Sequence, residues 1–337
     1  MKIRELRAHV LSIPRLSTLT TAYGSDSGAT TVLVEIVTDE GLPGYGQAGV
    51  DHPSYGETAE SIVANIHKHL GPALVGQDPC NVTALERHLH RALPHHEFAI
   101  SAVEMALWDL AGKALGAPLW QLLGGRVRPG VQLMGFVDHD APERMAAAAA
   151  ATLDAMRYPV LKMKVGMDPK EDLARVHAVA EAVRGRATLQ VDGNTGYTLA
   201  QAIPTLTAMQ ATETLGAIEQ PVVRLADMAE LARRLSTPIM ADEAIYPPAD
   251  AIDVVRHQAA SIALMKIAKH GGIGPVRRIG GIFEAAGLEL SVAIYYDLIA
   301  AAATHLAAAL PAVTWPSPDT DMADTILATP LRTENLT

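Results

Sequence analysis

One cysteine, Cys80, is all that the 337 residues contain, so no internal disulfide forms and a reducing compartment fits. Aromatic residues are scarce, at 4%, and the core must be packed mainly with Ala, Leu and Val. There is no Lys/Arg-rich run, and the net charge is −10, which makes nucleic acid and anionic membrane poor partners. The most apolar stretch, residues 298–313, is broken by Thr304, His305 and Pro311, so no span of a bilayer is expected. Residues 1–14 alternate charged and apolar side chains, unlike the basic stretch and apolar core of a secretory signal. With 49% apolar residues the chain is no disordered tail, and we expect a cytoplasmic globular protein.

The length suits two domains of roughly 150 residues, or one large barrel with an appendage. Residues 2–13 and 30–38 alternate as strands do, with Asp39-Glu40-Gly41 as a turn. Residues 58–70, 82–93 and 99–115 read as helices, and Gly124-Gly125 ends this mixed region. A regular beat follows. Short apolar runs stand at 131–137, 159–164, 187–192, 215–219, 238–242, 261–266, 288–294 and 312–315. Seven helical stretches lie between them, several opening on a proline, the favoured place for it. Such alternation predicts parallel strands with right-handed crossovers, and eight of them close a barrel. An open doubly wound sheet is the competing arrangement, but no Gly-rich phosphate loop follows any strand.

The middle strands each end in charge that an apolar run does not predict: Lys162 and Lys164, then Asp192, Glu219, Asp242-Glu243 and Lys266. Each lies one strand–helix unit after the last, so in a barrel all rise to the carboxyl rim, where barrel active sites sit. Any one of these acids, taken singly, reads more readily as a helix cap or a solvated charge. Three converging in register would repel one another unless a cation sat among them. Oxygen donors without His or Cys point to Mg²⁺, with Mn²⁺ the close alternative. Lys162 and Lys164 are two apart and share a strand face. With Lys266 across the mouth, one ammonium is expected to lower another's pKa and so make a base.

Lys162-x-Lys164, Val191-Asp192-Gly193-Asn194, Ile218-Glu219-Gln220-Pro221, Ala241-Asp242-Glu243 and Lys266-Ile-Ala-Lys-His-Gly-Gly together resemble the enolase superfamily, in its muconate-lactonizing-enzyme subgroup. Tyr55-Gly-Glu-Thr and Ala106-Leu-Trp-Asp109 extend the resemblance over nearly the whole chain. It implies an α/β fold, a modified (β/α)7β TIM-type barrel (126–316) with an N-terminal α+β capping domain (1–125) to which residues 317–337 return. Because the chain stops at Thr337, part of that return is expected to be missing. It further implies that Asp192, Glu219 and Asp242 hold Mg²⁺, which binds a small-molecule carboxylate and stabilises the enediolate left when the α-proton departs. Lys164 and Lys266 would be the acid/base pair on opposite faces of the α-carbon. Lys162 would tune Lys164 or neutralise the enediolate, and Asn194 and Glu243 would orient a ligand and a lysine. A homo-oligomer, dimer or octamer, is the expected assembly.

Substrate contacts are expected from several further residues. The capping loops at 19–27 and 49–55 should close over the mouth, bringing Tyr23, His52 and Tyr55 near substrate. At the seventh strand end, Tyr295, Tyr296 and Asp297 replace the small residues and Glu of relatives; packing at the rim is the competing role for the tyrosines. The eighth strand ends Trp315-Pro-Ser-Pro-Asp319-Thr-Asp321. Its Asp-x-Asp resembles relatives that grip the ammonium of an amino acid or dipeptide, and Trp315 would add a cation–π contact. A Pro-rich loop with solvated acids is the alternative. The reaction expected is racemisation or epimerisation of an N-modified or cyclic amino acid, a betaine or a dipeptide. β-Elimination from a hydroxylated cyclic amino acid and muconate-type cycloisomerisation use the same lysines. A catalytically silent binding barrel would be expected to have lost a ligand or a lysine, and this chain has them all.

Overall fold

The computed structural model describes residues 1–50, 52–319, 322–329 and 331, with the side chains of 52 and 53 left aside. Three antiparallel strands begin the chain: β1 (Ile3–Thr21), β2 (Gly24–Thr38) and β3 (Pro43–Val50), in the order β1-β2-β3. Their alternation buries Val32, Val34 and Ile36 against the helix Glu97–Leu115. Gly44 and Gly46 permit the contact. A β-carbon on Gly46 would stand 2.0 Å from the Ala102 carbonyl oxygen. The loop expected at 19–27 is the end of a long hairpin: β1 runs on to Thr21 and pairs with Gly24.

Eight further strands form the second sheet: β4 (Leu133–Val137), β5 (Val160–Lys164), β6 (Thr188–Asp192), β7 (Leu215–Glu219), β8 (Ile239–Ala241), β9 (Ile262–Met265), β10 (Glu289–Val292) and β11 (Ser317–Pro318). They pair in parallel in the order β10-β9-β8-β7-β6-β5-β4-β11, with a helix after each of the first seven. Bridges Leu290–Val313 and Tyr295–Asp319 join the two ends. The result is a (β/α)7β barrel beneath an α+β cap, as expected.

The eighth strand departs from the sequence reading. It falls at Ser317–Pro318, not at 312–315, and Ser317 donates its N–H to the Gln132 carbonyl. Two prolines hide it, because Pro316 and Pro318 lack the N–H that a ladder normally uses. After it the chain returns to the cap, where Arg15 bridges Met322 and the Ala323 N–H donates to the Pro14 carbonyl at 2.9 Å. Cap and barrel also meet through side chains. Gln47 accepts the Leu298 N–H at 3.0 Å, and Glu104 accepts the N–H groups of Ile273 and Gly274, both at 2.9 Å, at the start of the helix Ile273–Ala285.

Candidate active site

Parallel register lifts the charged residues to one rim. Asp192 stands beside Lys164 and Glu219 in the β5–β6–β7 pairing, and Asp242 and Lys266 directly follow β8 and β9. All three carboxylates are within 1% of complete burial, so each needs a compensating charge. Lysines provide it. Lys162 Nζ lies 2.8 Å from Asp192 Oδ2 and 2.6 Å from Glu219 Oε2. Lys164 Nζ donates to Asp192 Oδ2 at 2.6 Å and to Asn194 Oδ1 at 2.7 Å. Asp242 takes Lys266 on Oδ2 at 2.5 Å and Lys269 on Oδ1 at 2.7 Å.

The titration behaviour follows from these pairs. Burial would raise Asp192 and Asp242, but the adjacent ammoniums outweigh it and hold both well below the usual carboxylate range. Glu219, where burial and Asp192 prevail, is pushed up to about 8. Glu243 rises to about 7 through burial and the charge of Asp242. Burial alone would lower Lys162 and Lys266, yet the carboxylates beside them leave both raised. At Lys162 and Lys266 the lowering expected from a neighbouring ammonium is thus overridden, since each pairs with a closer carboxylate.

Do these residues suit a divalent cation? Among the described residues no three His, Cys, Asp or Glu side chains are gathered tightly enough to hold one as they stand. The donor set nevertheless fits: Asp192, Glu219 and Asp242 are all-oxygen ligands at the ends of three neighbouring strands. Glu219 Oε1 is also buried without a hydrogen-bond partner.

Several supporting residues escaped the sequence reading. Gln220 Oε1 accepts the N–H groups of Asp242 at 2.9 Å and Ala244 at 3.0 Å, holding that turn. Asp172 Oδ2 accepts Gly166 N–H at 2.9 Å and Tyr197 hydroxyl at 2.6 Å, tying the loop after Lys164 to the loop after Asp192. Those loops interlock: a β-carbon on Gly166 would stand 2.2 Å from the Gly193 carbonyl oxygen. Of these, Gln220 and Gly193 lay inside motifs already noticed, as did Lys269, the partner of Asp242. Asn194 and Glu243 do meet, Nδ2 to Oε1 at 3.1 Å.

A cavity of about 320 Å³ opens at the mouth, lined by Lys162, Lys164, Asn194, Lys266, Tyr295 and Asp319. Tyr23 and Tyr55 reach it from the cap; the Tyr23 hydroxyl lies 3.0 Å from Thr195 Oγ1. A second cavity of about 690 Å³ adjoins it under the hairpin and includes Tyr296. Asp297 does not line either one; it accepts a hydrogen bond from Thr325, because the left-handed backbone at this position turns it toward the returning chain. Trp315 is also away from the mouth. It precedes β11 and donates its indole N–H to Gln190 Oε1 at 2.7 Å inside the barrel, so the expected cation–π role at the rim does not follow. Asp321 and the side chain of His52 lie outside the described residues.

Comparison with known proteins agrees with this architecture. Residues 7–124 match the mandelate racemase/muconate lactonizing enzyme N-terminal domain, and residues 144–337 match the enolase C-terminal domain-like family. The L-Ala-D/L-Glu epimerase of Bacillus subtilis is 33% identical over 314 residues, 91% of this chain and 85% of the relative. Its substrate-liganded structure superposes with a TM-score of 0.93 over 99% of this chain and 95% of that one, at 30% identity. Muconate cycloisomerase 1 of Pseudomonas putida is 38% identical over 271 residues, 77% of this chain and 71% of the relative. The dipeptide epimerase of Enterococcus faecalis, solved with Mg and L-Leu-L-Tyr, gives a TM-score of 0.90 at 30% identity, covering 98% and 95% of the two chains. This chain belongs to the mandelate racemase/muconate lactonizing enzyme family and is an enzyme of the enolase superfamily, in its muconate-lactonizing subgroup.

Proposed function

We propose that this enzyme is an isomerase that removes and returns the proton α to a carboxylate, racemising or epimerising an amino-acid derivative such as an N-acyl amino acid or a dipeptide. One observation carries the reading. β5 and β9 are four strands apart in a closed sheet of eight, so Lys164 and Lys266 approach the cavity from opposite sides. Asp192, Glu219 and Asp242 belong to the three strands between. A substrate held there presents one face of its α-carbon to each lysine. One Nζ, as the neutral amine, takes the α-proton and becomes ammonium; the other, as ammonium, delivers its proton to the opposite face and becomes the amine, inverting the centre.

Asp192, Glu219 and Asp242 would hold Mg²⁺, consistent with the Mg in the dipeptide epimerase structure. When bound, it supplies positive charge to hold the substrate carboxylate and stabilise the negative charge that develops there. Lys162, already paired with Asp192 and Glu219, keeps a fixed positive charge beside that carboxylate. Asn194 holds Lys164 Nζ on its line of approach. Tyr23 and Tyr55 close the cap side and exclude water. Asp319, in the same cavity, supports a cationic or N–H-bearing group at the substrate's far end, hence an amino-acid derivative over a muconate.

The cap is proposed to comprise residues 1–125 and the barrel, expected at 126–316, to extend to Pro318 with its eighth strand, in a cytoplasmic homo-oligomer. Incubation in D₂O with Mg²⁺ and a set of N-acyl amino acids, betaines and dipeptides tests the function. Mass spectrometry is expected to find α-deuteration of both stereoisomers of at least one member. Metal-loaded enzyme that exchanges no member of the set would overturn the reading.

A further inference from the structure

Below the rim, β6 carries Gln190 two residues before Asp192, on the same inward face, and both Gln190 and Glu219 are completely buried. Gln190 Nε2 donates to Glu219 Oε2 at 2.5 Å, while Gln190 Oε1 accepts the Trp315 indole N–H at 2.7 Å. The indole ring lies by the starts of β6 and β7, and the lack of a side chain on Gly216 makes room for it: a β-carbon there would stand 3.3 Å from the ring and 3.2 Å from Thr188. Ala217, Met240, Ile262, Leu264 and Ala293 complete this small apolar cluster inside the barrel.

The chemistry of the chain is directional. An indole N–H can only donate, so it demands the carbonyl end of the Gln190 amide. That leaves the NH₂ end for Glu219. Were the amide reversed, NH₂ would face N–H on one side and carbonyl oxygen would face carboxylate on the other, two repulsive contacts in a dry interior. Gln190 and Lys162 together occupy Glu219 Oε2, and Oε1 is the oxygen left without a partner.

We infer that Trp315 is a positioning residue: through Gln190 it fixes the Glu219 carboxylate so that Oε1 is kept free for the divalent cation. The inference rests on the reading of Glu219 as a metal ligand. Partners one step removed from a metal ligand are commonly worth 10–100-fold in metal affinity.

Calorimetric titration of the EDTA-stripped enzyme with Mg²⁺ tests it. Trp315→Phe keeps the ring and removes the N–H, and is expected to raise the Mg²⁺ dissociation constant roughly tenfold. Gln190→Met breaks the same chain from the other side and is expected to do likewise, with the double variant no weaker than the worse single one. A purely structural role would lower the melting temperature and leave the dissociation constant alone, which overturns the inference; so do single effects that multiply in the double variant. For unsubstituted protein carrying ¹⁵N-tryptophan, Mg²⁺ is expected to shift one indole N–H resonance, and no shift on saturation overturns the inference even if the variants do not fold. Unsubstituted enzyme that takes up no Mg²⁺ overturns the metal reading itself, which separates the two failures.

Discussion

The Tyr55 hydroxyl, on the cap, accepts a hydrogen bond from the ammonium of Lys266, 211 residues later on the barrel rim. The same ammonium stands 5.0 Å from the centroid of the Tyr55 ring, and the hydroxyl approaches Asp242 Oδ2 at 3.5 Å. One cap residue thus touches both the proposed acid/base lysine and a proposed metal ligand. Tyr55→Phe keeps the packing against Phe98 and Tyr246 while deleting the hydroxyl. We expect kcat/KM for α-proton exchange to fall about tenfold, on the order of 1.4 kcal/mol, with the melting temperature little changed. An unchanged kcat/KM would show that the hydroxyl takes no part.

The carboxylates give a sharper test. Asp192→Asn and Asp242→Asn each remove a charge that two lysines now share. Both variants should lose Mg²⁺-dependent exchange while retaining the circular dichroism of the parent. Exchange that survives EDTA in the parent enzyme contradicts the metal assignment.

The lysines should divide the work by face. In D₂O, Lys164→Ala is expected to stop exchange from one stereoisomer and spare part of the exchange from the other, and Lys266→Ala to do the reverse. Net inversion needs both and should vanish in each. Equal loss of all exchange in both variants would indicate that the lysines serve only to hold the carboxylates.

At the cap–barrel seam, burial raises the Glu104 carboxyl to about 7, against the N–H groups of Gly274, Ile273 and Trp108, which favour its charged form. In the unfolded chain it titrates near its ordinary 4.5. Between these values the folded chain holds a proton that the unfolded chain has released, so this group's contribution to stability declines as pH rises through that window. Glu104→Gln stays neutral and should flatten the fall in melting temperature from pH 5 to 7.5. Calorimetric slopes that coincide with the parent's would show that Glu104 does not titrate there.

Much of the rim was legible because a charge ending an apolar strand is conspicuous: Lys164, Asp192, Glu219, Asp242 and Lys266 each interrupt a run that packing alone would continue. The parts hidden from that pattern are neutral or distant. Gln190 breaks no charge pattern, and its meaning depends on Trp315, 125 residues away. The last strand is masked by its prolines, and Asp297 is turned aside by a backbone conformation that its residue type does not announce. Strand ends report on the barrel directly; the supports beneath them are set by packing between segments far apart in the chain.

The patch formed by Pro14, Arg15, Met322 and Ala323 has a further consequence for turnover. Arg15 lines both cavities, so this seam borders the mouth of the candidate site. The base of the hairpin is tied to the segment after the barrel, so an outward movement of the hairpin from its base would have to break these contacts or carry Met322 and Ala323 along. Substitutions at this seam, remote from the reacting carbon, are expected to change the rate of product release, read as an altered kcat with unchanged single-turnover exchange.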